Sequence, residues 1–167
     1  KAETKTGVTV YANAKASIDA SNLAEGYLLV TYTGGRNVKI KVQITKEGGV
    51  TYTYNLNNQG GTETFPLTEG DGKYTVKVFE NTTGTKYAVA HSAAVELKLR
   101  NDFLPFLYPN QFVDYNAKSA VVSKAAEIVS AAGAATDLSR VQAVFDFVTK
   151  NFSYDYELAK TVQSGYL

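Results

Sequence analysis

The sequence predicts a mainly β protein with a helical tail: an immunoglobulin- or fibronectin-like antiparallel β-sandwich followed by a short helical segment. Three observations carry this prediction. Apolar and polar residues alternate in several runs before residue 100. Turn-forming clusters rich in glycine separate those runs. Beyond residue 116 the apolar period lengthens from that of a strand to that of a helix.

Composition narrows the possible functions before any motif is read. The 167 residues include 17 Lys+Arg against 16 Asp+Glu, one His, and no Cys, Met or Trp. A net charge of +1 gives no overall field that would gather nucleic acid or a membrane surface. Without Cys there is no disulfide, thiolate metal site or cysteine nucleophile in these residues, and one His excludes a multi-histidine metal site. Nothing approaches the ~20 consecutive apolar residues of a membrane span. Lys1 to Gly7 is polar and does not read as a signal peptide. A chain of this length buries roughly two-thirds of its unfolded surface, so it needs no covalent staple. The absence of Met leads us to expect that the initiator lies outside these residues. The Thr-, Tyr- and Gly-rich, Cys-free composition fits an exported bacterial protein, secreted or held at the cell surface.

Residues 1–100 are read as the sandwich. Val8 and Val10 offer a first strand, and residues 27–32 a second. Val38, Ile40, Val42 and Ile44 alternate with Lys39, Lys41, Gln43 and Thr45, which places the apolar groups on one face. Val50, Tyr52, Tyr54 and Leu56 repeat the pattern, Phe65 marks a short strand, and Tyr74, Val76 and Val78 form another. Tyr87, Val89, His91, Ala93, Val95, Leu97 and Leu99 share one parity and predict the longest strand. Gly34-Gly35, Gly48-Gly49, Gly60-Gly61, Gly70-Asp71-Gly72 and Asn81 to Gly84 mark the turns. About seven short strands spaced in this way suit an antiparallel sandwich. Gly70-Asp71-Gly72-Lys73-Tyr74-Thr75-Val76 resembles a tyrosine corner, where a Tyr hydroxyl bonds back to the backbone.

Residues 101–116 are a connector. Phe103-Leu104-Pro105-Phe106-Leu107 is too apolar for a free linker, so it should pack between the sandwich and the helical segment. Pro105 and Pro109 keep it extended. Residues 117–132 then read as an amphipathic helix, with Val121, Val122, Ala125, Ile128 and Val129 on its stripe and Gly133 as C-terminal cap. Thr136 or Asp137 caps a second helix whose stripe is Leu138, Val141, Val144, Phe145 and Val148. Residues 155–162 begin a third, with Tyr156, Ala159 and Val162 inward.

The candidate chemistry is sparse. His91 is the one neutral-pH base, but nothing at a suitable spacing forms a nucleophile–base pair with it, so it reads as structural. Asp71, Asp114, Asp137 and Asp146 are scattered without the motif of a glycosidase pair and suit caps and polar faces. Glu69, Asp71 and Gly72 lack the alternating acids of a calcium loop. The 12 tyrosines could include a sugar-stacking platform, although most fall on apolar parities and suit the core. Asn81-Thr82-Thr83 and Asn151-Phe152-Ser153 match the glycosylation acceptor pattern, which means little in a bacterial protein. No glycine loop cradles phosphate. No catalytic, cofactor-binding or metal-binding residue is therefore assigned, and no cofactor is expected.

A family resemblance adds to this reading. The segment Asp137-Leu138-Ser139-Arg140-Val141-Gln142-Ala143-Val144-Phe145-Asp146-Phe147-Val148-Thr149-Lys150-Asn151-Phe152-Ser153-Tyr154-Asp155 resembles the entry to a bacterial transglutaminase-like domain of the papain-like superfamily. In that family such a helix leads into an aromatic–Ser–Tyr–Asp turn. A variable loop then often begins near a Gly-Tyr-Leu like Gly165 to Leu167. Asp19-Ala20-Ser21-Asn22-Leu23, Phe65-Pro66-Leu67 and Pro105-Phe106-Leu107-Tyr108-Pro109-Asn110-Gln111 are similar to N-terminal regions of Firmicutes members. The resemblance implies a catalytic Cys in a Gly-x-Cys motif, then His and Asp, all beyond Leu167. The family triad has no counterpart here, and Tyr154 and Asp155 would fix the turn that leads towards the nucleophile helix.

On this reading, residues 117–167 are the helical beginning of a truncated transglutaminase-like domain. The chain is the non-catalytic N-terminal portion of an exported cysteine peptidase or acyl-transferase. It would position the downstream catalytic domain or bind a protein or cell-wall ligand, without nucleic acid and without inserting in a membrane. The alternative is a self-contained cell-surface binding or adhesion module with no enzyme activity.

Overall fold

Alternating side chains at Ile40, Val42 and Ile44 need two neighbouring strands and a second sheet to cover them, and the computed structural model supplies both. It describes residues 5–35 and 39–162, so Val38 of the expected strand lies outside the described residues. Eight strands are present among them: β1 (Val10–Ala12), β2 (Ala16–Asp19), β3 (Tyr27–Tyr32), β4 (Ile40–Lys46), β5 (Thr51–Leu56), β6 (Glu63–Pro66), β7 (Gly72–Thr83) and β8 (Lys86–Leu97). They form two four-stranded antiparallel sheets, in the orders β1-β2-β3-β6 and β5-β4-β7-β8. The chain changes sheet after β3, after β5 and again after β6, so the two sheets are interlocked as a sandwich.

The core lies between the sheets. Val42 stands between Tyr54 and Val78, and Ile44 between Tyr52 and Val76. Val42, Val76 and Val78 face Ile18, Leu28, Val30, Tyr32 and Phe65 in one buried cluster. Each such side chain contributes about 1.5–3 kcal/mol by leaving water. The tyrosine corner is formed: Tyr74 is buried and its hydroxyl donates to the Gly70 carbonyl at 2.8 Å. Burial pushes that hydroxyl up to about 12.

Three details depart from the sequence reading. First, the alternation does not announce β2. It is nevertheless central, since Ala16, Ile18 and Asp19 are buried and β2 joins β1 to β3. Second, the single parity from Tyr87 to Leu99 breaks. Val78 pairs with His91 but Phe79 pairs with Val89, which leaves Ala90 as an extra residue in a bulge. One inserted residue reverses which side chains face inward. Ala93, Val95 and Leu97 are buried, whereas Val89 is 53% exposed and Ala90 packs on the core in its place. The Asn13 amide donates to the Ala90 carbonyl at 2.8 Å and occupies the bulge. Third, only the Leu56 end of β5 is covered. Val50 and Tyr52 are exposed because β6 is four residues long and its Phe65 reaches Tyr54, with ring centroids 5.1 Å apart.

By its internal contacts the chain divides into two compact units, Lys1–Asp114 and Tyr115–Leu167. The second holds α1 (Ala120–Ala131), α2 (Asp137–Asn151) and α3 (Tyr156–Thr161). Gly133, at φ +60°, ends α1: its N–H bonds to Ser130 and that of Ala134 to Val129, both at 3.1 Å. This is a Schellman ending. Of the two expected caps for α2, the structure uses Thr136, which shares a reciprocal capping box with Ser139. The Asp155 carboxylate accepts from the Leu158 N–H at 2.8 Å and starts α3.

Candidate functional site

The sequence candidates do not converge. His91 sits in β8 opposite the buried Val78, and its Nε2 is buried without a hydrogen-bond partner. The Glu69 carboxylate accepts from the Val50 N–H and the Tyr52 hydroxyl, both at 3.0 Å. Asp71 accepts from the Leu99 N–H at 2.7 Å, and that bond, opposed by a desolvation cost and helped by Lys98, holds its carboxyl below the usual range. Both acids therefore tie strand ends together rather than converge on a cation. Asp137 pairs with Arg140, Asp146 accepts from Gln142, and Asp114 is exposed. Among the described residues no three His, Cys, Asp or Glu side chains cluster. The tyrosines split: Tyr27, Tyr32 and Tyr74 are core, while Tyr11, Tyr52, Tyr154 and Tyr156 are exposed.

Two polar assemblies that the sequence did not reveal organise the sandwich. Asp19 and Asn22 are buried and fix the segment that precedes β1. Asp19 accepts from Gly7 N–H (2.7 Å) and Ser21 N–H (2.9 Å), and Asn22 accepts from Lys5 N–H at 2.8 Å. Glu25 is the second hub. Arg100 donates to it twice, at 3.0 and 2.8 Å, and the Tyr108 hydroxyl donates to the same carboxylate. The Arg100 bonds chiefly, then Tyr108, hold the Glu25 carboxyl below its usual range. Burial, then the bond to Glu25, pushes Tyr108 up to about 12.

Glu25 thereby fastens the first part of the connector. The Tyr108 ring lies 4.7 Å from that of Tyr27. Pro105 is buried against Gly26, where a Cβ would stand 2.4 Å from the proline ring. Gln111 donates to the Asn55 carbonyl and to Glu63, and Phe112 lies 5.8 Å from Tyr54. The connector residues up to Asp114 thus belong to the first unit. Phe103, Phe106, Leu107 and Val113 remain exposed.

The helical unit presents a run of exposed apolar side chains. α1 and α2 touch through half-buried residues, among them Ile128 and Val129 on one helix and Val144 and Phe147 on the other. The rest of the predicted α2 stripe lies in water: Leu138 is 79% exposed and Val141 66%, with Phe145 and Val148 also exposed. Val129, Arg140, Val141, Val144 and Phe145 line an apolar groove of about 460 Å³. Beyond α2, Phe152 packs edge-on to Phe147 at 6.3 Å, and Tyr154 to Tyr156 at 4.8 Å. Gly165 to Leu167 lie outside the described residues.

A continuous apolar stripe of this kind offers no group for acid–base or nucleophilic chemistry. None of the described helices is long and apolar enough to cross a membrane. Comparison with protein-family models, curated proteins and solved structures found no match.

Proposed function

We propose that this chain is a non-catalytic portion of an exported bacterial transglutaminase-like thiol enzyme. Its sandwich positions the catalytic domain or binds a cell-surface partner, and α1 to α3 form the first layer of that domain. The exposed α2 stripe supports this reading most. Leu138, Val141, Phe145 and Val148 form one face of a well-capped helix that stays exposed among the described residues, and a packed domain is what such a face needs. The α2 exit adds support, since Phe152-Ser153-Tyr154-Asp155 is extended and ends on an N-cap. The reacting Cys, His and Asp would come from further sequence, and no residue of this chain takes a catalytic role.

The test is to express the chain with the reading frame downstream of Leu167. A Gly-x-Cys followed by His and Asp should appear. The extended protein should bind less of the apolar dye ANS than the 167-residue chain, and its thiol should react with iodoacetamide at neutral pH. A frame without Cys, or dye binding that does not fall, overturns the proposal.

One observation favours the second reading, a self-contained cell-surface binding module. The Schellman ending of α1 and the caps of α2 and α3 are complete, as in a unit that folds by itself. Light scattering separates the readings: a concentration-independent monomer whose helices melt cooperatively supports the module, and self-association supports the uncovered face.

A further inference from the structure

The outer face of the β5-β4-β7-β8 sheet carries its carboxylates at one end, where Lys46, Lys73 and Lys98 accompany them, and lysines without a salt bridge towards the other. Register places Lys41 between Asn55 and Phe79, and Gln43 between Thr53 and Lys77. Lys39 and Lys41 therefore lie on this face towards the end at which β4 begins, with Lys77 at mid-sheet. Among the described residues none of the three is paired with a carboxylate. Glu47, Glu69, Asp71 and Glu96 lie towards the opposite, tyrosine-corner end.

The basic end contains a cleft of about 430 Å³, within the range that holds a small ligand. Lys39, Asn55, Asn57, Asn58 and Tyr87 line it. The Lys41 ammonium stands 4.8 Å from the centre of the Tyr87 ring, which fixes the ring and adds charge beside the cleft. The wall is preformed: Asn57 is bonded through its backbone N–H and side-chain amide to Glu63, at 2.8 and 2.7 Å, and to the Gly61 carbonyl at 2.9 Å. Gln111 bonds the other Glu63 oxygen, so this nearby carboxylate is engaged on both sides. The Asn55 side chain is exposed.

We propose that this cleft binds an anionic saccharide unit of a cell-surface glycan. An aromatic ring offers a sugar face a flat apolar contact. An exposed carboxamide both donates and accepts, which suits hydroxyl groups, and two ammonium groups answer a carboxylate or phosphate on the sugar. An acidic peptide would use the ammonium groups but leave the ring and carboxamide idle. Every residue of the site belongs to the sandwich, and only the cell-surface source of the glycan rests on the exported setting proposed above.

The test is a ¹H–¹⁵N titration of the full chain with trigalacturonic acid, with a glycerol-phosphate oligomer, with neutral galactotriose and with poly-glutamate. Shifts should concentrate at Lys39, Lys41, Asn55 and Tyr87 for at least one of the two anionic glycan probes, and which one responds tells carboxylate from phosphate. The affinity should fall steeply between low and physiological salt. Tyr87→Ala and Lys41→Ala should each weaken binding at least ten-fold. Lys39→Glu, on an exposed residue, serves as the variant that leaves the fold untouched, and Lys73→Ala at the far end of the sheet should change nothing. Equal binding of galactotriose, equal binding of poly-glutamate, no response to either anionic probe, or full affinity in the Lys39→Glu variant would each overturn the proposal.

Discussion

Val42 and Val141 are the same residue type on equally regular amphipathic elements, yet Val42 is fully buried and Val141 is 66% exposed. In the sandwich, β4 has β5 and β7 at its sides and a second sheet across its apolar face. In the helical unit, α2 has α1 against part of its surface, and among the described residues Leu138, Val141 and Phe145 stay exposed. The pattern of a sequence names the face that needs cover, but it says nothing about what provides the cover. Two regions of one chain thus carry the same signal and reach opposite outcomes.

The sharpest way to break this contrast is a matched pair of truncations. Phe65→Ala empties the centre of the sandwich and should cost about 3–5 kcal/mol in urea unfolding. Phe145→Ala, at an exposed site, should stay within about 0.5 kcal/mol. A large loss at Phe145 would mean that α2 is covered in solution and the contrast does not hold. Gly26→Ala comes next. Gly26 sits at φ +81° with the Pro105 ring in the space a methyl would need, so the change should cost about 2 kcal/mol or more. Nuclear magnetic resonance should show Tyr108 released while the helix signals stay put.

Tyr74→Phe removes the corner bond to Gly70 and should cost about 1 kcal/mol of sandwich stability, with no change in the helices. Acid probes the Glu25 hub. Its folded carboxyl is held below the unfolded value, so its contribution is present above the unfolded range near 4 and is lost as pH falls through the folded one. Stability measured against pH should drop less steeply on the acid side in Glu25→Gln than in the parent. The smallest effect is expected at Tyr27, whose buried hydroxyl has no partner. Tyr27→Phe should be neutral or stabilise by up to about 1 kcal/mol.

Much of the sandwich was legible. β4 and β7 alternate cleanly, and Gly70 to Val76 announced the tyrosine corner. β2 was not, because Ala16, Ser17 and Asp19 carry neither branched nor aromatic side chains; tertiary burial, not propensity, makes it a strand. The Ala90 bulge left no mark in the alternation it interrupts. The Glu25 hub was invisible for another reason: its partners Arg100 and Tyr108 lie 75 and 83 residues along the chain, and no local pattern encodes such a meeting. The cleft at Tyr87 escaped likewise, since Lys39, Asn55 and Tyr87 come from three separate strand regions. The stripes of α1 and α2 were readable as stripes, and the resemblance to a longer domain already implied that they would be partly exposed.

The docked connector also has a mechanical meaning. Traction applied at Tyr115 would not peel β8 from its sheet directly. It would load the Gln111 contacts with Asn55 and Glu63 first, then Tyr108 on Glu25, then Pro105 seated on Gly26. These grips lie in series ahead of Arg100, whose bidentate hold on Glu25 closes the path. The arrangement is a cable gland: the load is shed onto side chains and a proline before it reaches the strand that ends at Leu97.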